Sequence, residues 1–243
     1  MKAKHLFIHI LAVLFVFPLT GAFAQEAINI DVLATFDYPG TGNLTRPQKI
    51  TDASEIAGEF VDSTGATRGF IRFKNGDFSA PIVEPNDTAN FTEGRGINNS
   101  RTVCGDYTGS DGTFHGFFLS GSTFTEFNVA GSTTTEVLGI NNAGDFAGNY
   151  TDSAGTSQAF VSVGGRITSF TIPGATLIAA YQLNVLNRFV GYYADSATIT
   201  HGFYQDNTGT VQFPIDPPGS TGTILFGIND HDWIVGRYSD VSG

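Results

Sequence analysis

Cysteine occurs once in the 243 residues, basic residues number 12 against 23 acidic ones, and charged residues of both signs make up only 14 %. A lone cysteine excludes a disulfide scaffold and a thiolate-rich zinc site. The shortage of Lys and Arg argues against a nucleic-acid partner, which needs a basic stripe to displace counterions. Leucine is scarce beyond the N-terminal segment and helical periodicity is missing, whereas β-branched and aromatic residues abound. There is no phosphate-binding glycine loop, no Gly-x-Ser-x-Gly elbow and no His-Glu-x-x-His pair. What the chain does have is 30 glycines, 22 phenylalanines and an apolar share of 41 %. That is too apolar for disorder and enough for a sizeable core.

Residues 1–24 read as a secretory signal peptide. Lys2 and Lys4 give a positive start, Leu6 to Leu19 is almost wholly apolar, and Ala22-Phe23-Ala24 is a small-x-small cleavage site before Gln25. The apolar stretch is short for a span of ~20 residues, and Pro18 and Gly21 break its end. No other stretch could cross a bilayer. The expectation is an exported protein, secreted or held in the periplasm or at the cell surface, with no membrane span after cleavage.

Residues 25–243 carry an internal repeat. A Gly-x-aromatic motif recurs at Gly58, Gly105, Gly148, Gly191 and Gly236, at spacings of 47, 43, 43 and 45 residues. Eight residues before these glycines stand Ile50, Ile97, Ile140, Leu183 and Ile228; Asn follows in the last four copies and Thr51-Asp52 in the first. Eleven residues after the first four glycines come Gly69-Phe70, Gly116-Phe117, Ala159-Phe160 and Gly202-Phe203, and eleven further on Ala80, Phe127, Phe170 and Phe213. The repeats run over about 50–96, 97–139, 140–182 and 183–227, with a partial copy at 228–243.

Each repeat reads as four short strands, a to d. In the third copy these are Glu136–Asn141, Asp145–Thr151, Gln158–Val163 and Arg166–Ile172, separated by Asn-Asn-Ala-Gly, Asp-Ser-Ala-Gly, Gly-Gly and Pro-Gly turns. Four antiparallel strands every ~40–45 residues are the blade signature of an all-β propeller. A β-helix, with coils of ~20–25 residues, is the alternative. Ala34–Gly40 matches strand d without strands a to c before it, and the last copy stops after strand b. The expectation is therefore about five blades, the last incomplete, with an N-terminal closing strand at about 30–40. The missing Gly-Phe strand also suggests a chain cut at the b–c turn; a closed ring with a three-stranded blade is the other reading.

The combination of Gly-Ile-Asn, Val-Gly-x-Tyr-x-Asp, His-Gly-Phe and Pro-Gly-Ala resembles the bacterial HAF-repeat family of extracellular repeat proteins. His115-Gly116-Phe117 and His201-Gly202-Phe203 stand where that family has its signature, while Gln158-Ala159-Phe160 and Arg68-Gly69-Phe70 depart from it. The resemblance covers roughly residues 34–240. It implies an exported bacterial protein and brings no activity with it.

The titratable candidates divide by column. A catalytic base or metal ligand occurs once in one special loop, so the Arg68, His115, Gln158, His201 column reads as turn-bonding. His231, between Asp230 and Asp232 beside Trp233, reads as a solvated turn. Cys104 shares its column with Ala57, Ala147, Val190 and Val235 and reads as core, with a raised pKa. Phe60, Tyr107, Tyr150, Tyr193 and Tyr238 read as filling between blades. Asp62, Asp152, Asp195 and Asp240 recur at the b–c hairpin, where Asp accepts turn N–H bonds. A propeller places these turns on one face, so they form a candidate negative rim for a cationic ligand or calcium, although no copy has the dense Asp spacing of a calcium loop. No catalytic residue, metal ligand or other cofactor is assigned.

The favoured reading is a non-catalytic extracellular binding or structural module, its ligand a polysaccharide or cell-surface protein. The alternative is a secreted hydrolase or lyase acting on polysaccharide. An enzyme should break the repeat with an inserted loop rich in unmatched acids or histidines, and copy one's extra residues bring only Glu84, Asp87 and Glu93.

Overall fold

The computed structural model describes residues 35–40 and 44–241 and is all-β among them. The first sheet holds β1 (Leu44–Ile50), β2 (Ile56–Val61) and β3 (Thr67–Arg72). The second holds β4 (Thr92–Ile97), β5 (Val103–Thr108), β6 (Phe114–Ser120) and β7 (Thr123–Phe127). The third holds β8 (Ser132–Ile140), β9 (Phe146–Asp152), β10 (Ser157–Val163) and β11 (Arg166–Phe170). The fourth holds β12 (Leu177–Leu183), β13 (Phe189–Ala194), β14 (Thr200–Gln205) and β15 (Val211–Ile215). Finally β16 (Ser220–Ile228) and β17 (Ile234–Asp240) pair as a two-stranded sheet. Every pairing within the sheets is antiparallel and joins strands consecutive in sequence.

The first strands of successive sheets pack on one another, while the last strands β7, β11 and β15 make their main contacts only within their own sheet. The first strands therefore surround an axis and the last strands form the periphery, which is a propeller. Among the described residues four blades are present, one fewer than the five expected, and β16 and β17 form the inner pair of strands of a further one. The closing strand expected over about 30–40 lies partly outside the described residues, and residues 35–40 form no strand. Their rings instead pack on blade one: Tyr38 stacks on Phe60 at 3.7 Å and Phe36 lies 6.5 Å from Phe70. Phe127 and Phe170 meet Phe160 and Phe203 of the next blade at 5.8 and 5.7 Å. Residues 35–40 thus occupy, against blade one, the place that strand d occupies against the blade after it.

Blade one also lacks the fourth strand expected near Ala80–Ile82. Pro81 has no N–H to donate, and only isolated bridges, Arg72 to Phe78 and Gly69 to Ile82, stand in for it. The remaining strands fall close to expectation, and Ile97, Ile140, Leu183 and Ile228 are the last residues of β4, β8, β12 and β16.

The core lies between blades rather than inside any one of them. Its largest cluster joins Ala147, Ala159 and Ile172 of blade three to Ile178, Phe189 and Phe203 of blade four. Polar bonds tie the inner turns together in parallel with it. The amide nitrogens of Asn98, Asn141 and Asn184 donate to the backbone carbonyls of Asn141, Asn184 and Asn229, at 3.3, 3.1 and 3.0 Å. Each side-chain oxygen meanwhile accepts two N–H groups of its own turn, as Asn141 does from Ala143 and Asp145 at 2.9 Å. The repeated Asn thus both shapes the a–b turn and links it to the next blade.

Candidate functional site

The innermost strand of every sheet has a bulge at the same place. Pairing skips one residue between Pro47 and Lys49, Gly94 and Gly96, Val137 and Gly139, Ala180 and Gln182, and Leu225 and Gly227. The skipped residues are Gln48, Arg95, Leu138, Tyr181 and Phe226, which recur at the repeat spacing yet share no chemistry. A bulge re-aims a side chain out of the regular pleat. Two residues before the bulge, Arg46, Glu93, Glu136, Ala179 and Ile224 pair with an equally mixed column on the second strand: Glu59, Asp106, Asn149, Tyr192 and Arg237.

These side chains meet around the axis. Arg95 Nε donates to Asp106 Oδ1 at 3.1 Å, and its Nη2 is ion-paired with Glu93. Gln48 Nε2 donates to both oxygens of Glu59, at 3.2 and 3.0 Å, and Arg46 lies 3.5 Å from the same carboxylate. Asn149 Nδ2 donates to Glu136 at 3.3 Å. On the other side the Tyr181 ring meets Tyr192 at 5.7 Å and Phe226, edge-on, at 5.3 Å, with the Arg237 guanidinium 5.8 Å over Phe226. One half of the site is acidic around a single arginine. The other half is aromatic.

Burial sets the electrostatics of the acidic half. Glu59, Glu93 and Asp106 are buried, and Arg95 and Glu136 are half-buried. Burial pushes Glu93 up to about 8, with Asp106, Glu59 and Glu136 adding to the rise against the opposing pull of Arg95. Glu136 rises to about 7 through burial and the Asp106 charge. Glu59 and Asp106 are also raised by burial, against the arginines. Burial disfavours the charged form of Arg95, but the carboxylates outweigh it and its pKa is raised. Asp106 Oδ2 and Asn149 Oδ1 are buried without a hydrogen-bond partner. The arrangement stores protons near neutral pH and presents a cation, carboxylates and ring faces to the axis.

The acidic rim takes a different form. Asp62 Oδ1 accepts N–H groups from Thr64 and Ala66 at 2.8 and 3.1 Å, Asp152 Oδ1 from Ala154 and Thr156 at 2.9 Å, and Asp195 Oδ1 from Ala197 and Ile199 at 2.8 and 2.9 Å. These bonds lower all three pKa values, the Thr64 hydroxyl first for Asp62, the Thr156 N–H for Asp152 and the Ile199 N–H for Asp195. Their second oxygens face the start of strand c: Arg68 at 3.6 Å, Gln158 at 3.2 Å and His201 at 3.5 Å. Asp111 and His115 make the same pair in blade two at 3.1 Å. The Arg, His, Gln, His column is therefore the partner of the hairpin aspartate. Asp240 ends β17, paired opposite Ser220. Asp62, Asp152 and Asp195 thus each sit in the hairpin between the second and third strands of their own sheet. Among the described residues no group of three or more His, Cys, Asp or Glu is placed to hold a metal ion.

Cys104 is fully buried among Val129, Val137, Ile140 and Phe160. His231 lies in the β16–β17 turn, its N–H bonded to Asn229 and its ring 6.4 Å from Trp233. A separate cleft of about 510 Å³ opens between blades one and two, walled by Phe73, Pro81, Leu119 and Phe124. At its edge Arg101 lies 5.7 Å over Phe73 and pairs with Glu55.

Sequence reasoning missed the axial site. Its signal was present in charged residues set beside strand glycines, as in Gly58-Glu59, Gly105-Asp106 and Glu93-Gly94-Arg95-Gly96. Those columns change from copy to copy, so a search for what repeats passes over them.

No family model matches the chain, and no curated protein matches it. Solved structures do. A TolB structure from Agrobacterium tumefaciens superposes with a TM-score of 0.57 at 15 % identity, over 78 % of this chain and 72 % of that one. TolB from Acinetobacter baumannii gives 0.52 at 15 % identity, over 79 % of this chain and 53 % of the other. The BP39L lectin from Burkholderia pseudomallei gives 0.46 at 13 % identity, over 74 % and 59 %. At these identities the likeness to the two TolB structures establishes the propeller fold alone. Among the described residues no helix is long and apolar enough to cross a membrane.

Proposed function

We propose that the chain is a non-catalytic binding or structural propeller module, exported from a bacterial cell and recognising a polysaccharide or cell-surface protein at the axial site. One observation carries the reading: the packing and turn columns vary little from copy to copy, while the two columns facing the axis share no chemistry. Gly-Phe or Ala-Phe, Phe or Tyr, and Asn in four of the five copies recur because packing and turn geometry favour them. Arg95, Tyr181, Tyr192, Phe226 and Arg237 are under no such requirement, and ring faces with adjacent guanidinium groups suit stacking and hydrogen bonding to sugar rings or to a polar peptide. Export and the resemblance to HAF repeats belong to the same proposal. The proton held by Glu93 favours the alternative hydrolase, since a carboxyl protonated near neutrality can serve as a general acid. Against that, Glu93 and Asp106 are buried and both are paired with Arg95.

The test is retention of the purified chain on an array of bacterial and plant polysaccharides, with and without a calcium chelator. Retention is expected to fall at least tenfold in Tyr181→Ala and to survive in Asp152→Asn. Loss on chelation would move the site to the acidic rim. Turnover of a retained polysaccharide would overturn the non-catalytic reading.

A further inference from the structure

Three arginines belong to the axial columns, and two of them are matched by carboxylates. Arg46 pairs across its sheet with Glu59, 3.5 Å away, and Arg95 is held by Glu93 and Asp106. Arg237 has no such match. The residue paired with it across the sheet is Ile224, and among the described residues its guanidinium makes no ion pair. It lies instead 5.8 Å over the Phe226 ring. The side chain is exposed, so a group arriving from solvent can reach it.

Its neighbours are hydroxyl donors and ring faces. Tyr181 and Tyr192 are half-buried with their rings 5.7 Å apart, and Phe226 meets Tyr181 edge-on at 5.3 Å. Burial raises both phenol pKa values, Tyr181 to about 12, while the Arg95 and Arg237 charges oppose the rise in each. Both phenols therefore keep their protons at neutral pH and lie within electrostatic reach of Arg237. Among the described residues neither hydroxyl has a hydrogen-bond partner. Glu136 is the acid within reach of both, and burial, with the Asp106 charge, raises its pKa to about 7. Near neutrality about half of it is uncharged, which weakens its repulsion of an anion.

We propose that this wall of the axis binds a uronic acid residue of an acidic polysaccharide, its carboxylate on Arg237 and its sugar face on the tyrosine rings. The inference rests on the reading of the axis as the binding site and narrows the ligand. A guanidinium holds a carboxylate through two parallel N–H bonds. A hexuronate carries that carboxylate on a rigid ring whose C–H face can lie on an aromatic side chain, while its ring hydroxyls accept from the phenols. An aspartate or glutamate side chain of a peptide brings the charge without the ring face. General attraction cannot supply the binding, because the formal net charge of −11 repels polyanions.

The experiment measures retention of the purified full chain on polygalacturonate and alginate, on the methyl ester of each, and on polyglutamate. Retention is expected on at least one polyuronate, and at least tenfold less on its ester and on polyglutamate. Arg237→Gln should weaken it at least tenfold and leave the melting temperature unchanged, because that side chain is exposed. Arg166→Gln, the same charge change on exposed outer strand β11, should leave retention as it was. No retention on either polyuronate, equal retention on the ester, or stronger retention on polyglutamate would overturn the inference. If neutral polysaccharides hold the chain and Tyr181→Ala releases it, the axial reading stands and the acidic ligand is overturned. If a polyuronate holds the chain and neither Tyr181→Ala nor Arg237→Gln releases it, the axis is not the site and both readings fall.

Discussion

Cys104 shows how a repeat fixes the meaning of one residue. Its column holds Ala or Val in the other copies, and the thiol is wholly buried beside the inner strands. Burial pushes its pKa well above the usual thiol range, with the Asp106 charge adding to the shift and Lys49 opposing it. The thiolate is the reactive form, so iodoacetamide should leave the native chain unlabelled and modify it fully in denaturant. Fast labelling in plain buffer would contradict the packing. Since Ala57 and Ala147 fill the same place, Cys104→Ala should cost about 1 kcal/mol, the low end for a small cavity. The same comparison explains His201. It stands between Asp195 and Asp216, and although burial disfavours its charged form the two carboxylates raise its pKa. In blades one and three Arg68 and Gln158 do the same work against Asp62 and Asp152.

Among the elements, the a–b turns carry more than local geometry. Asn184 donates to the Asn229 carbonyl and to Asp232 Oδ1, both at 3.0 Å, and accepts from Leu186 and Arg188 at 3.0 and 3.1 Å. Its removal leaves buried backbone groups of two sheets unpaired at once. Asn184→Ala should therefore destabilise the chain by about 3 kcal/mol, the sum expected for a few such groups. The side chain of Asn229, last in the series, accepts from the His231 and Trp233 N–H groups of its own turn. Asn229→Ala should cost about 1 kcal/mol, as an ordinary turn bond does. Equal losses in urea titrations would mean that the bonds between blades contribute nothing.

These elements were largely legible because turn and strand chemistry is local. Gly-Phe, the hairpin Asp and the turn Asn each serve one repeated geometry, and repetition multiplies their signal. The expected first blade failed at Ala80, where Pro81 interrupts a ladder that spacing alone had promised. The axial site was illegible for a converse reason. It is assembled from single residues of several sheets, and no spacing along the chain reveals that Arg95, Glu136 and Tyr181 surround one axis. The acidic rim was legible as a column, but only coordinates place each carboxylate on its own turn.

For the whole molecule, two populations of carboxylate pull stability in opposite directions as pH changes. The hairpin group, Asp62, Asp111, Asp152, Asp195 and Asp206, has lowered pKa values from turn hydrogen bonds, with Asp111 brought to about 2 chiefly by the Thr113 N–H. What these residues contribute is present above the ordinary aspartate value and lost as pH falls through their own. The axial group, Glu59, Glu93, Asp106 and Glu136, is raised by burial. There the folded chain keeps protons that the unfolded chain releases above the ordinary glutamate value of 4.5. Their contribution is intact below that value and declines until pH passes about 8, where Glu93 itself ionises. The urea midpoint should therefore be highest near pH 4–5, fall towards pH 8 and fall again in strong acid. His201 adds to the decline only above its ordinary value of 6.5, so it cannot produce the part between pH 5 and 6. Glu93→Gln removes one of these titrating groups from the axis while keeping its shape, and should reduce the slope from pH 5 upwards. His201→Gln should leave that lower stretch untouched. A midpoint that climbs between pH 5 and 8, or a Glu93→Gln variant with an unchanged slope, would mean that the axial carboxylates are ionised in the folded chain.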